Sequence, residues 1–242
     1  MSTNPPLSKA KISVIAKLKQ KKFRQERKQV VVEGYRLLRQ LADYGVCFHE
    51  VYYSSELPEF CSGDQAFKLS PAEIARICDS DHPPQLAALY DIPSPKKADY
   101  RTALYLDRIS DPGNMGTIFR TAAAFGIDEI FLSEGCCEIA NPKVIRSSLG
   151  AVYKVPHMIM DHAALAFEPG MKVALEMAGE TSLPEFSKQA APAIYILGSE
   201  AHGVDPRLMA LADIRLSIPM AGQMESLNVA ISAAILAYHL SL

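Results

Sequence analysis

Ile218-Pro219-Met220-Ala221-Gly222-Gln223-Met224-Glu225-Ser226-Leu227-Asn228-Val229-Ala230-Ile231-Ser232-Ala233-Ala234 is a polar knuckle that turns directly into an apolar helix. It has two companions upstream. Asp111-Pro112-Gly113-Asn114-Met115-Gly116-Thr117-Ile118-Phe119-Arg120-Thr121-Ala122 follows the apolar run Ala103 to Leu106. Leu197-Gly198-Ser199-Glu200-Ala201-His202-Gly203 follows Ile194 to Leu197. Such runs read as buried strands, and ligands in α/β sheets sit outside the carboxyl ends of strands. Three polar loops at three strand ends therefore suggest one built site.

Around the knuckles the pattern is strand, polar loop, helix, repeated. Ala103 to Leu106 leads to a helix from about Gly116 to Phe125, and Glu129 to Leu132 to a helix near Pro142 to Gly150. Val173 to Leu175, Ile194 to Leu197 and Ile214 to Ile218 supply further strands, and Leu227 to Leu240 a closing helix. This alternation predicts an α/β fold with a mostly parallel sheet. The N-terminal part predicts a smaller α/β domain. It has a basic helix over Ser8 to Gln29, strands at Val30 to Val32, Phe48 to Tyr53, Ala66 to Leu69 and Leu86 to Tyr90, and a helix capped at Ser70-Pro71. Ile92-Pro93-Ser94-Pro95-Lys96-Lys97-Ala98-Asp99 has the composition of a linker, so the expected domains are 1–95 and 96–242.

Composition narrows the function. With 49% hydrophobic and 21% charged residues, and no apolar run long enough to span a bilayer, the expectation is a globular protein with no membrane role. Met1 to Pro6 lacks a signal-peptide pattern, which points to the cytoplasm. Five cysteines without a C-x-x-C pair argue against a disulfide framework and a zinc site, so no metal is expected. Paired carboxylates in glycosidase style, H-E-x-x-H, G-x-G-x-x-G and Walker loops are all missing, which removes hydrolase, Rossmann and P-loop readings. The net charge of −2 does not advertise nucleic-acid binding. Its distribution reopens the question: Lys9, Lys11, Lys17, Lys19, Lys21, Lys22, Arg24, Arg27 and Lys28 crowd the start against Glu26 alone, and RNA contact there needs independent support. That run reads either as a solvated helix face or as an RNA contact.

Each knuckle also has a plain alternative. Asn114 can cap a helix and Arg120 be a surface charge, although a helix N-terminus with an arginine fork suits a phosphate. Glycines after a buried strand are ordinary punctuation, and His202 reads as an incidental loop residue. Ser226 or Asn228 can be a simple N-cap, yet a cap needs only one of them.

Taken together, the knuckles resemble the SpoU (TrmH) family of RNA ribose 2'-O-methyltransferases, of the trefoil-knotted SPOUT class. The resemblance runs through Asn114-x-Gly116-x-x-x-Arg120, Gly198-x-Glu200-x-x-Gly203 and Ile218-Pro219-Met220-x-Gly222-x-x-x-Ser226-Leu227-Asn228, and includes Asn141 to Ala151. Lys21-Lys22 through Glu33-Gly34, with Pro84-Gln85, is similar to the ribosomal-protein-L30e-like substrate-binding domain that many members carry. Here Arg39-Gln40 and Leu86 depart from the common pattern.

The resemblance implies a C-terminal knot, a homodimer, and S-adenosylmethionine held by Leu197, Gly198, Gly203, Ile218, Met220 and Leu227, largely through the main chain. It implies a catalytic neighbourhood of Asn114, Arg120, Glu200, Ser226 and Asn228, with RNA met by Lys21, Lys22, Arg24 and Arg120. The implied reaction is methylation of a ribose, most readily in large-subunit ribosomal RNA. The alternatives are a transfer-RNA methyltransferase and a catalytically silent RNA-binding or ribosome-assembly protein. Family members assign activation of the hydroxyl to the position of Arg120. Free arginine, with an unperturbed pKa of about 12.5 or above, is a poor base near neutrality. Holding a phosphate and stabilising a developing alkoxide suits it better.

Overall fold

A computed structural model describes residues 6–63, 65–187, 191–199, 201–222 and 226–242. Glu200, one of the expected site residues, lies outside them. In chain order the elements are α1 (Lys9–Ala16), α2 (Lys21–Arg27), β1 (Gln29–Glu33), α3 (Tyr35–Asp43), β2 (Glu50–Tyr53), β3 (Ala66–Lys68), α4 (Pro71–Ile77) and β4 (Leu86–Asp91). They continue as β5 (Thr102–Leu106), α5 (Pro112–Phe125), β6 (Glu129–Leu132), α6 (Pro142–Ser147), β7 (His157–Ile159), α7 (His162–Leu165), β8 (Met171–Leu175) and β9 (Thr181–Ser182). The last are β10 (Ala193–Leu197), α8 (Pro206–Leu211), β11 (Ile214–Ser217) and α9 (Val229–Ser241). Two compact units result, one of Met1–Ser94 with Glu138–Tyr153 and one of Pro95–Cys137 with Lys154–Leu242.

The first unit holds a four-stranded sheet in the order β1-β4-β2-β3, antiparallel except for the β2–β3 pair. Ile12, Ile15 and Leu18 pack with Tyr52, Leu69, Ile74, Ile77 and Leu89 to make its core. Ser70 and Glu73 form a reciprocal capping box on α4, with Pro71 in the first turn as the sequence predicts. The segment 138–153 belongs here because Arg146 Nη1 donates to the buried Glu33 carboxylate at 2.5 Å, and because Gly150 sits against Leu41, where a Cβ would fall 2.7 Å from Cδ2.

The basic helix expected over Ser8 to Gln29 is broken. Ser8 caps α1, a 3-10 turn spans Lys17–Lys19, Gln20 is extended, and Lys28 ends α2 at a left-handed φ of 56°. Arg24 explains the break and corrects its expected role as an RNA contact. It is 3% exposed, and its Nη1 donates to the Leu18 and Lys19 carbonyls at 2.9 and 2.7 Å while Nη2 pairs with Glu138. A guanidinium so engaged is a structural clip. Arg24→Met leaves two carbonyls and a mostly buried carboxylate without their donor, and should cost about 3 kcal/mol in urea unfolding, whereas Lys21→Gln should change it by less than about 0.5.

The second unit is a seven-stranded sheet in the order β7-β6-β5-β10-β8-β11-β9, with every named pair parallel. Every residue of the central β5 and β10 is buried, as expected of strands covered on both faces. β7, β9, α7 and α8 were not expected from the sequence. The strands have three and two residues, too few for periodicity, and α7 and α8 have four and six. The caps Asp161 and Asp205, the latter with Pro206 behind it, were the readable signal.

Candidate functional site

The knuckles leave the carboxyl ends of β5, β10 and β11. The first starts earlier in its helix than expected. Asp111, not Asn114, is the N-cap of α5: its carboxylate accepts from Asn114 N at 2.8 Å, and Pro112 stands in the first turn. Asn114 is thus helical, and Arg120 lies further along the same helix. Met115, Gly116, Ile118, Phe119 and Ala122 face the interior while Arg120 is exposed, without an ion-pair partner among the described residues.

The second knuckle closes on itself. Gly203 N donates to Ser199 O at 2.8 Å, and Ser199 and Gly203 form an isolated antiparallel bridge. Gly198 permits this approach, because a Cβ there would fall 2.0 Å from Gly203 C and 2.2 Å from Val204 N. The loop runs into Asp205, the cap of α8. The Arg207 side chain and main-chain N–H donate to the Asp205 carboxylate and hold it well below the usual carboxylate range.

In the third knuckle Asn228 is the N-cap of α9, its Oδ1 accepting from Ala230 N at 2.9 Å and Ile231 N at 3.3 Å. Its Nδ2 meanwhile donates to Asn114 Oδ1 at 3.0 Å. That one bond joins the first knuckle to the third, and α5 packs along α9. Ser226 is exposed beside it.

A cleft of about 370 Å³ opens between the second and third knuckles and the end of β8. Leu197, Gly198, Gly203, Ile218, Met220 and Leu227 all line it, as does Ser226. Asn114, Arg120 and Asn228 do not. Sequence reasoning missed Glu176 and Met177, which leave the carboxyl end of β8, and Ser199, whose Oγ is buried with no hydrogen-bond partner among the described residues. The strand end of β8 was a signal of the same kind as the other three. Also missed was Asp107, fully buried one residue beyond β5. It carried no signal, since a lone Asp after a strand is ordinary turn chemistry.

Residues 101–238 match the model of the SpoU rRNA methylase family, and residues 9–88 match that of the MRM3-like substrate binding domain. The chain belongs to the SpoU rRNA methylase family. It is 33% identical over 230 residues, 93% of each chain, to the 23S rRNA (guanosine(2553)-2'-O)-methyltransferase RlmP of Bacillus subtilis. A TrmH-family protein from Porphyromonas gingivalis superposes with a TM-score of 0.83 at 28% identity, covering 98% of both chains. The AdoMet-bound rRNA methyltransferase from Sinorhizobium meliloti does so at 0.84 and 25%, covering 99% of this chain and 97% of that one. The SpoU match spans all three knuckles, and the substrate-binding match includes Lys21 and Lys22, both exposed.

Proposed function

We propose that this SpoU-family chain transfers the methyl group of S-adenosylmethionine to a ribose 2'-hydroxyl of large-subunit ribosomal RNA. The observation that carries the reading is the convergence of all six expected cofactor residues on one cleft beside the Asn114–Asn228 bond. The 23S rRNA activity in the name of the Bacillus relative supports the substrate. The cleft suits the cofactor chemically. Its described lining includes one carboxylate, Glu176, and no Lys or Arg, so a sulfonium cation meets no like charge, and the orphaned Ser199 Oγ is a ready polar partner.

Bound there, S-adenosylmethionine supplies an electrophilic methyl on positively charged sulfur. The chain's own residues hold the cofactor, orient the ribose and accommodate its proton. On transfer the ribose oxygen would take that methyl from sulfur, and the hydroxyl proton would leave to a neighbouring phosphate or water. Asn114 and Asn228 fix the geometry where the helices meet. Arg120, exposed and without an ion pair among the described residues, grips an RNA phosphate and stabilises the developing alkoxide. Ser226 and Glu200 complete the neighbourhood by their place in the family motifs.

The reading includes the knot, supported by a strand order in which β10 lies between β5 and β8, and β8 between β10 and β11. It includes a homodimer. Ile231, Ile235 and Tyr238 form an apolar stripe on α9, continued by its C-cap Leu242, exposed by 52, 36, 56 and 87%, with the Phe125 ring edge-on to Tyr238 at 5.9 Å. Such a stripe fits a second copy of itself. Ile231→Asp with Tyr238→Asp should yield a monomer in sedimentation, and an unchanged mass would remove this face from the interface. A cytoplasmic setting is supported by five free cysteines. No described helix is long and apolar enough to cross a membrane.

RNA is met by Lys21 and Lys22 rather than Arg24. Changing both lysines to Gln should weaken RNA binding and flatten its salt dependence, by about 0.7 in log–log slope for each single-strand phosphate that is no longer neutralised. An unaltered slope would return the segment to a solvated face.

The test is transfer of radiolabelled methyl from S-adenosylmethionine to total RNA from a strain lacking the gene. Label in large-subunit ribosomal RNA, released as a 2'-O-methyl nucleoside, is the expected result. Label in transfer RNA would keep the chemistry and move the substrate. No label, with no S-adenosylmethionine binding, would leave a silent RNA-binding protein.

A further inference from the structure

Both ends of the loop that forms one wall of the cleft are fastened to a single residue. Asp107 N donates to Leu197 O at 2.8 Å, where the loop begins, and Asp107 Oδ2 accepts from Asp205 N at 3.0 Å, where it ends. Between those points lie Gly198, Ser199, His202, Gly203 and Val204, all of which line the cleft. The Asp107 side chain is 0% exposed and is itself held from several directions. Arg108 Nε and Nη2 donate to it at 3.2 and 2.9 Å, Ser133 Oγ at 3.3 Å, and His162 Nε2 lies 3.0 Å from Oδ1. These partners come from the ends of β5 and β6 and from the start of α7, so the carboxylate is tied to the sheet. Arg108 reaches back to it from a left-handed φ of 56°, a conformation that an L residue with a Cβ adopts only at a cost.

We infer that Asp107 is the positioning residue of the methyl-donor site, clamping the cleft-lining residues Gly198, Ser199, His202, Gly203 and Val204 in their ligand-ready places while touching neither cofactor nor RNA. This rests on the reading of the cleft as the S-adenosylmethionine site. Among the described residues, Arg108 Nη1 also lies 3.9 Å from Asp205 Oδ2 at the loop's end, and Gly203 is fastened to Ser199 within the loop itself. A carboxylate that accepts from a main-chain N–H in a buried setting makes a strong bond, and leaving that N–H unpaired carries the desolvation penalty as well. Without the clamp the loop samples shapes that do not bind, and apparent affinity falls by the fraction of time it is misplaced.

The two obvious substitutions separate the clamp from the charge. Asp107→Asn keeps an oxygen where Oδ2 stands, still accepting from Asp205 N and Arg108 Nη2, while its amide nitrogen in place of Oδ1 loses the Arg108 Nε bond and can donate to the other tautomer of His162. Asp107→Ala removes the acceptor. Calorimetric titration with S-adenosylmethionine should show Asp107→Asn within about threefold of wild type and Asp107→Ala weaker by about ten- to a hundredfold, with RNA affinity in both unchanged. Wild-type affinity in Asp107→Ala, or equal weakening in the two variants, would overturn the clamp. Failure of the wild-type chain to bind S-adenosylmethionine would overturn the reading of the cleft and this role with it. Amide hydrogen exchange on the unmodified protein needs no variant to fold. The Asp205 amide should be protected, and further slowed by S-adenosylmethionine; exchange there at the rate of an open amide would overturn the inference.

Discussion

Arg120→Ala should slow methyl transfer by about a thousandfold while leaving S-adenosylmethionine affinity and thermal stability close to wild type. The separation follows from where the side chain stands. Arg120 is exposed on α5 and makes no ion pair among the described residues, so removing it opens no cavity and orphans no buried group. It does not line the cleft, so cofactor binding has no reason to change. In the proposed mechanism, what the variant loses is a cation that acts only when RNA is in place and negative charge grows on the attacking oxygen. Single-turnover transfer measured beside calorimetric cofactor binding makes the check, and near-normal turnover would remove Arg120 from the mechanism. Arg120→Lys should recover only part of the rate, because a lysine keeps the charge but not the planar fork that grips two phosphate oxygens.

The sheet was legible because β5 and β10 are continuous apolar runs, and a central parallel strand has to be. The first two knuckles were legible because each follows such a run; the third follows β11, where Arg215 is exposed, and was legible as a polar turn running straight into the apolar α9. Helix starts were less so: Asp111-Pro112 reads equally as a turn and as a cap followed by proline, and only tertiary packing decides, here for a helix four residues longer than expected from Gly116. Arg24 could not be read at all. Its neighbours are basic, so composition places it on a charged face, while the partner that buries it, Glu138, is 114 residues away. The same long-range pairing hides the place of Asn141 to Ala151. Nothing local in that segment says that Arg146 will meet Glu33, a carboxylate 113 residues earlier. Asp107 is a third case of this kind, since its meaning lies in the Asp205 amide, 98 residues on.

Gly198→Ala should reduce S-adenosylmethionine affinity by about a hundredfold, the largest loss expected from a single methyl group in this chain. The cause is close approach. A Cβ at 198 would stand 2.0 Å from Gly203 C, 2.2 Å from Gly203 O and 2.2 Å from Val204 N. All three are backbone atoms of the opposite limb of the loop, so no flexible side chain can swing aside. The limb has to move, the Gly203 N to Ser199 O bond has to lengthen, and the wall of the cleft moves with them. Gly203→Ala supplies the contrast. Among the described residues a Cβ there would meet nothing within 4 Å, and the penalty is that of a left-handed φ of 63°, roughly 1 kcal/mol. Titration of the two variants should therefore rank Gly198→Ala well below Gly203→Ala, although both are single methyl additions in one loop. The reverse order would mean that the site depends on the left-handed turn at 203 rather than on the backbone contact at 198. Because β10 ends at Leu197, the displaced limb can be absorbed beyond the sheet, so Gly198→Ala should still unfold cooperatively and lose binding before it loses the fold.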